Sequence, residues 1–176
     1  MKIGLCGTMS VGKTTLVKAL KKLPEFKKYN FATERSKYLN DLGIPLNTDS
    51  TLKGQTIFLA ERASELMNKA IITDRTVLDV MAFAHCSNSM NYVEKENFVQ
   101  LAASLIHEYD YIFYVSPEGV DIEDNGVRET DEYYRDVIDF SIVSLIRKYA
   151  HMVNKVETIK GSTEDRIKQM FNVIDF

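Results

Sequence analysis

Short apolar segments alternate along the chain with longer segments whose apolar residues recur at helical spacing. Each short segment has the length and composition of a buried strand, and together they lie at about 3–5, 31–33, 70–73, 111–115 and 152–159. Because a helical segment separates each strand from the next, we expect parallel pairing. The pattern predicts an α/β three-layer sandwich in which a five-stranded parallel sheet carries helices on both faces.

The helical segments are bounded by polar capping residues, glycine or proline. They lie at about 13–23, 35–41, 50–69, 77–82, 98–109, 134–146 and 164–173. Either Asp49 or Ser50 is expected to cap the third helix. In the fifth, Phe98, Leu101 and Ile106 are expected to share one buried face.

The length of 176 residues, 45% of them hydrophobic, fits one well-buried domain over 1–176. Residues 118–130 are polar and charged and contain two glycines, which is typical of a loop. A connection of this length is expected to serve as a flap or lid.

Charge and cysteine content limit the cellular setting. The net charge of −3 gives no general attraction to nucleic acid, although five lysines cluster within residues 18–28. Two cysteines, Cys6 and Cys86, allow no disulfide framework or zinc pattern, so a reducing cytoplasm is expected. No apolar run is long enough to cross a membrane, and no secretory leader is expected.

The spacing Gly7-x-x-x-x-Gly12-Lys13-Thr14 is the phosphate-binding pattern, here called the phosphate loop (residues 7–14). Its glycines let consecutive backbone N–H groups turn toward an anion. Lys13 is expected to contact the β- and γ-phosphates of ATP, and Thr14 the Mg²⁺ that bridges them. A strand before the loop and a helix after it are the context in which the motif binds a nucleoside triphosphate.

Further donor contacts are expected around this loop. Thr8, Ser10 and Thr15 lie within or beside it, so their backbone or hydroxyl groups should contribute to ATP binding. Ser162 follows the last strand, where a fold of this type usually holds the adenine, although the segment is also an ordinary capped turn.

Two acid-arginine pairs follow predicted strands, Glu34 with Arg35 and Asp74 with Arg75. The carboxyl ends of parallel strands meet at one edge, so both pairs are expected to face the phosphate loop. A kinase needs a carboxylate near the acceptor hydroxyl and cations near the transferred phosphoryl group. Either acid could be the base, and Asp74 could instead hold the Mg²⁺ shell. Arg128 and Arg135, in and after the flap, are further candidate phosphoryl contacts.

These motifs resemble the nucleoside and nucleotide kinase group of P-loop proteins. The run TDRTVLDVMAFA (73–84) is similar to the signatures of thymidylate and deoxynucleoside kinases, which implies a phosphate contact for Arg75. Glu34 occupies a place similar to the carboxylate after the second strand of deoxynucleoside kinases, which implies that it serves as the base. The run DIEDNGVRETDEYYRDVID (121–139) looks closer to the nicotinamide riboside kinase-like, AAA-type family found in phages. The flap is less rich in arginine than a typical nucleotide-kinase lid, and its acids weaken the case for a strongly anionic acceptor.

The preferred interpretation is an ATP- and Mg²⁺-dependent kinase that phosphorylates a nucleoside- or nucleotide-like small molecule. One alternative is a phage kinase that phosphorylates a hydroxymethylpyrimidine, such as 5-hydroxymethyluracil, within DNA, with the lysine cluster serving the DNA. A regulatory NTPase whose flap acts as a switch is the third hypothesis. No membrane partner is expected, and a homodimer is compatible with all three.

Overall fold

The computed structural model describes residues 1–33, 35–120 and 131–176. Its strands form one parallel sheet in the order β2-β3-β1-β4-β5. The strands are β1 (Lys2–Cys6), β2 (Asn30–Ala32), β3 (Ile71–Thr73), β4 (Tyr111–Val115) and β5 (Lys155–Ile159). The predicted five-stranded parallel sheet is therefore confirmed.

The register places the ends of the central strands together. Gly4 of β1 pairs with Thr73 of β3, and Cys6 pairs with Tyr114 of β4. Since the strands are parallel, the segments that follow β1, β3 and β4 leave the sheet at the same edge. This edge carries the phosphate loop.

Helices connect successive strands of the sheet. In the described part of the chain they are α1 (Lys13–Leu20), α2 (Ser36–Asp41), α3 (Leu52–Glu65), α4 (Val77–His85), α5 (Tyr92–Ala103), α6 (Glu132–Tyr149) and α7 (Thr163–Phe171). No helix there is long and apolar enough to cross a membrane.

Side chains of β4 alternate between two hydrophobic cores, one on each face of the sheet. Phe113 packs with Leu16 of α1 and Met170 of α7 on one face. Ile112 packs on the other face with residues from α3 to α6, among them Met81. Helices on both faces, as predicted, follow from this alternation of buried side chains.

Several predicted boundaries were wrong. The cap of α3 is Thr51, whose hydroxyl accepts a hydrogen bond from the Gly54 amide, and not Asp49 or Ser50, because Asn47–Asp49 form a separate 3₁₀ turn. In α5, Leu101 is 61% exposed although Phe98 is buried. The helix ends at Ala103, so Ile106 belongs to the next short turn and packs from there.

The last strand also begins later than predicted. Met152 belongs to a 3₁₀ turn (Ala150–Met152), and β5 begins at Lys155. Val153 is buried between the turn and the strand, which explains why the apolar pattern extends upstream of the ladder.

Candidate functional site

The phosphate loop connects β1 to α1 through two unusual glycine conformations. Gly7 has φ = 152°, and a Cβ placed on it would lie 2.7 Å from the carbonyl oxygen of Val115 at the end of β4. Gly12 has φ = 84° and precedes the first residue of α1 in the left-handed conformation. A side chain at either position would oppose the backbone path of the loop.

The amino end of α1 closes the loop. The Leu16 amide donates to the carbonyl of Gly12 at 3.0 Å, which begins the helix, and no side chain caps it. Ser10 also has a positive φ, 60°, and is buried. Backbone N–H groups at a helix start of this kind form an anion site together with the positive end of the helix dipole.

Lys13 is 7% exposed and folds back onto the loop. Its ammonium donates to the carbonyl of Gly7 at 2.6 Å and to that of Thr8 at 2.7 Å. Burial lowers the pKa of Lys13, and the nearby carboxylate of Asp79 opposes that shift. The loop therefore keeps a cation beside its own amides.

Thr14 and Asp74 contact each other beside the loop. The Thr14 hydroxyl donates to Oδ2 of Asp74 at 2.5 Å, and Asp74 is buried. A hydroxyl beside a carboxylate is a donor set of hard oxygen atoms, and Mg²⁺ in phosphoryl-transfer sites is typically held by one or two such groups plus phosphate oxygens. The residues present therefore fit Mg²⁺. Among the described residues no cluster of three or more His, Cys, Asp or Glu side chains could hold a metal.

A cavity of about 120 Å³ opens between the loop and the end of β3. Predicted site residues supply most of its lining, namely Ser10, Gly12, Lys13, Thr14, Thr15, Asp74 and Arg75, with Met9, Val11 and Val120. The guanidinium of Arg75 also lies 4.9 Å from the ring centroid of Phe83 on α4, a cation–π distance. The structure thus brings an acid, two cations and two hydroxyl-bearing threonines to one cavity.

Arg135 lies behind the loop and does not line this cavity. Its backbone carbonyl accepts a hydrogen bond from the hydroxyl of Thr8 at 3.1 Å, and its guanidinium donates to the carbonyl of Pro117 at 3.4 Å. One turn further along α6, Asp139 accepts from the hydroxyl of Tyr114 at 2.8 Å, and burial raises the pKa of that carboxyl. The proposed phosphoryl contact of Arg135 stays a prediction.

Two other predicted catalytic residues, Glu34 and Arg128, lie outside the described residues. Arg35, the residue after Glu34, was expected to face the loop, but in the structure it points elsewhere. Its guanidinium lies 3.3 Å from the carboxylate of Glu61 on α3 and stacks 4.5 Å from the ring centroid of Tyr38. Tyr38 lies on α2 and Glu61 on α3, so these two contacts explain the direction of Arg35.

Helix α3 also carries buried polar groups. Gln55 is 3% exposed and Arg62 2% exposed. Arg62 donates to Glu65 at 2.6 Å and lies 3.8 Å from Glu61. Burial raises the pKa of Glu65 to about 7 despite that partner.

Ser162 caps α7. Its hydroxyl donates to Oδ2 of Asp165 at 2.7 Å and accepts from the Asp165 amide at 3.1 Å. The capped-turn interpretation therefore accounts for its position, and its predicted adenine contact is not tested by this arrangement.

Sequence reasoning missed two buried groups that hold the loop. Asp79, 0% exposed, accepts from the Gly7 amide at 3.1 Å, and Arg166 of α7, 4% exposed, donates to the carbonyl of Val11 at 2.6 Å. The Thr76-x-x-Asp79 spacing resembles a capping box and would have located Asp79 at a helix start. No pattern in the sequence points to Arg166.

A parallel sheet in the order β2-β3-β1-β4-β5, with a phosphate loop between β1 and α1, defines an α/β protein with the P-loop kinase fold. The chain belongs to the AAA domain family, whose sequence model matches residues 2–166. A search of curated proteins with this sequence found no match.

Solved structures share the fold at low identity. Deoxyadenosine kinase from M. mycoides with bound dCTP is 18% identical, with a TM-score of 0.66 over 98% of this chain and 97% of that one. Thymidylate kinase from Candida albicans is 15% identical, with a TM-score of 0.66 over 98% and 90%. NadR protein in complex with NR is 16% identical, with a TM-score of 0.67 over 88% of this chain and 45% of that one.

Proposed function

We propose that this protein is an ATP- and Mg²⁺-dependent kinase that transfers the γ-phosphoryl group to a nucleoside- or nucleotide-like acceptor. The observation that carries the proposal is the contact of the Thr14 hydroxyl with the buried carboxylate of Asp74, in a cavity that also holds Lys13 and Arg75. A simple anion site would need the loop and Lys13 but no carboxylate beside them. The acid belongs to a site that handles a metal or an acceptor proton as well as phosphate.

The donor half of the site, which would bind ATP as the phosphoryl donor, is built around the phosphate loop. Its backbone amides and the amino end of α1 would bind the phosphates, and Lys13 would exchange its two carbonyl partners for phosphate oxygens. Thr14 and Asp74 would hold Mg²⁺, which when bound neutralises charge on the β- and γ-phosphates. Arg75 lines the same cavity, so its guanidinium would stabilise charge on the group in transfer.

We assign the acceptor half to residues of the segment that connects β2 to β3. Asp74 is already engaged by Thr14, which favours the metal for Asp74 and leaves Glu34 as the base. Gln55 on α3 would pair with an edge of the acceptor base, because a nearly buried amide needs polar partners. Solved relatives of this fold bind dCTP and NR, which supports an acceptor of the nucleoside class.

The test is phosphoryl transfer from labelled ATP, and separately from GTP, to a panel of nucleosides, nucleoside monophosphates and DNA containing 5-hydroxymethyluracil, with products identified by mass. Transfer to a nucleoside or nucleotide is expected. The Lys13→Met variant, prepared in the same way, controls for contaminating kinases. Nucleotide hydrolysis without any phosphorylated product would favour the regulatory NTPase instead.

The DNA alternative receives less support from the position of the lysines. After α1 ends at Leu20, Lys21, Lys22, Lys27 and Lys28 lie in the connection that leads to the first residue of β2, Asn30. This connection is at the edge of the sheet opposite the phosphate loop. DNA held there would not reach the cavity directly. Acceptor binding that weakens steeply with salt would nevertheless favour DNA, since phosphate contacts release counterions.

A further inference from the structure

Asp79 is a fully buried carboxylate that connects the phosphate loop to the start of α4. Its Oδ2 accepts from both the amide and the hydroxyl of Thr76 at 2.8 Å. Its Oδ1 accepts from the amide of Gly7, 72 residues away in sequence, at 3.1 Å. One side chain thus joins the start of α4, directly after Asp74 and Arg75, to the first residue of the phosphate loop.

The contact with Gly7 exceeds what the helix requires. In a capping box the carboxylate at the third helical position returns only to the cap residue, chiefly to its backbone N–H. Two other capping boxes in the described residues do no more than that. Glu94 accepts from the amide of its cap Asn91, and Asp165 accepts from the amide and hydroxyl of its cap Ser162. Only Asp79, among these three, uses its second oxygen on another segment.

Gly7 is held from three directions. Its amide donates to Asp79, its carbonyl accepts from the ammonium of Lys13 at 2.6 Å, and the Val115 carbonyl oxygen lies 2.7 Å from where a Cβ would be. Asp79 therefore fixes the residue whose carbonyl in turn contacts Lys13. A displaced Gly7 would move both the loop amides and the cation.

We propose that Asp79 is a positioning residue that holds the phosphate loop in its triphosphate-binding conformation and ties it to the Asp74–Arg75 segment. The inference rests on the proposed function, because it assumes that the loop binds a nucleoside triphosphate. All three partners of Asp79 are N–H or O–H donors, so the site requires an acceptor on both oxygens. An asparagine there can keep the helix cap only by turning its NH₂ group toward the Gly7 amide, where two donors oppose each other.

The test measures ATP binding by isothermal titration calorimetry, with Mg²⁺ present, for the wild type, Asp79→Asn and Glu94→Gln. Asp79→Asn should raise the Kd for ATP about tenfold, the loss expected for one hydrogen bond to a charged group. Glu94→Gln removes a carboxylate from the same position of a capping box far from the loop and should leave the Kd unchanged. Where transfer is measurable, KM for ATP should rise by the same factor while kcat changes less.

A role confined to folding predicts a different result. It would lower the number of binding-competent molecules, and so the stoichiometry and kcat, without changing the Kd or KM. Thr76→Val separates the two roles further, since it removes the cap hydroxyl but keeps the bond between Asp79 and Gly7. Its Kd should stay within about threefold of the wild type, less than the full loss of a charged hydrogen bond.

The proposal would be overturned if Asp79→Asn bound ATP with the same Kd as the wild type. It would also be overturned if Asp79→Asn and Thr76→Val lost equal affinity for ATP. Failure of the wild type to bind ATP or GTP would instead refute the proposed function, and the positioning role with it. If Asp79→Asn does not fold, hydrogen exchange at the Gly7 amide of the wild type tests whether the bond to Asp79 holds the loop. Slow exchange without nucleotide is expected, and rapid exchange would contradict the buried hydrogen bond.

Discussion

Replacing Gly7 by alanine tests whether the phosphate loop depends on its backbone path. The substitution adds one methyl group at a residue with φ = 152°, in a region that L side chains rarely adopt. The methyl carbon would also lie 2.7 Å from the Val115 carbonyl oxygen, which belongs to a central strand. Neither problem can be relieved by rotating a side chain, so the loop or the end of β4 must shift.

The expected loss of folding stability is the sum of a backbone-strain cost and a packing cost. Holding a residue with a side chain in such a backbone region costs about 1–3 kcal/mol. Forcing an extra methyl group into a packed site costs a further amount of about 1–3 kcal/mol. The expected loss is therefore about 4 kcal/mol, a large part of the roughly 5–15 kcal/mol by which a domain is stable.

Gly43→Ala is the matched control. Gly43 also has a positive φ, 78°, but a Cβ there meets nothing within 4 Å, so only the backbone term applies. Urea unfolding of both variants should show a loss of about 1–2 kcal/mol for Gly43→Ala and at least twice that for Gly7→Ala. Equal losses would show that the close approach to Val115 does not constrain the loop, and the reasoning would be refuted.

Three further predictions concern single side chains. Lys13→Met should weaken ATP binding by about a hundredfold or more, measured by calorimetry, because a cation beside the phosphates is lost. Asp74→Asn keeps an acceptor for Thr14 but removes the charge, and should lower kcat by about 10²–10³ in the transfer assay. Since burial raises the pKa of Glu65 to about 7, the folded state holds a proton that the unfolded state releases, and stability should fall as pH rises from about 4.5 to 7. After allowance for partial exposure the fall is about 2 kcal/mol, and Glu65→Gln should remove it in urea titrations across that range, whereas an unchanged slope would assign it to other groups.

The sheet was predictable because each strand is short, apolar and followed by a helical period. Tyr111 to Val115 matches its strand at both ends, since all five side chains are buried on one face or the other. The start of α3 was not predictable in the same way. Asp49, Ser50 and Thr51 can all cap a helix, and the choice of Thr51 depends on the preceding turn and on the burial of Ser50.

Some residues of the candidate site could likewise be predicted from the sequence, and others could not. Lys13, Thr14 and Asp74 could be found because each lies within a motif or directly after a strand. Their position in the sequence therefore determines their location in the fold. Asp79 and Arg166 reach the loop from residues 72 and 155 positions away, and their partners are backbone groups of Gly7 and Val11. Backbone groups leave no trace in side-chain patterns, so contacts of this kind appear only once the chain is folded.

These backbone contacts explain how a short loop can keep a conformation suited to phosphate. The Gly7 amide is held from α4, the Val11 carbonyl from α7, and the Thr8 hydroxyl by a carbonyl of α6. Ordering a loop costs conformational entropy, and here that cost is met on folding by elements that also build both cores. Hydrogen-bond donors that are already oriented need little rearrangement when negative charge develops on the substrate. This is the condition for strong electrostatic stabilisation. Affinity for the phosphoryl donor should therefore depend on buried residues of three helices as much as on the loop itself.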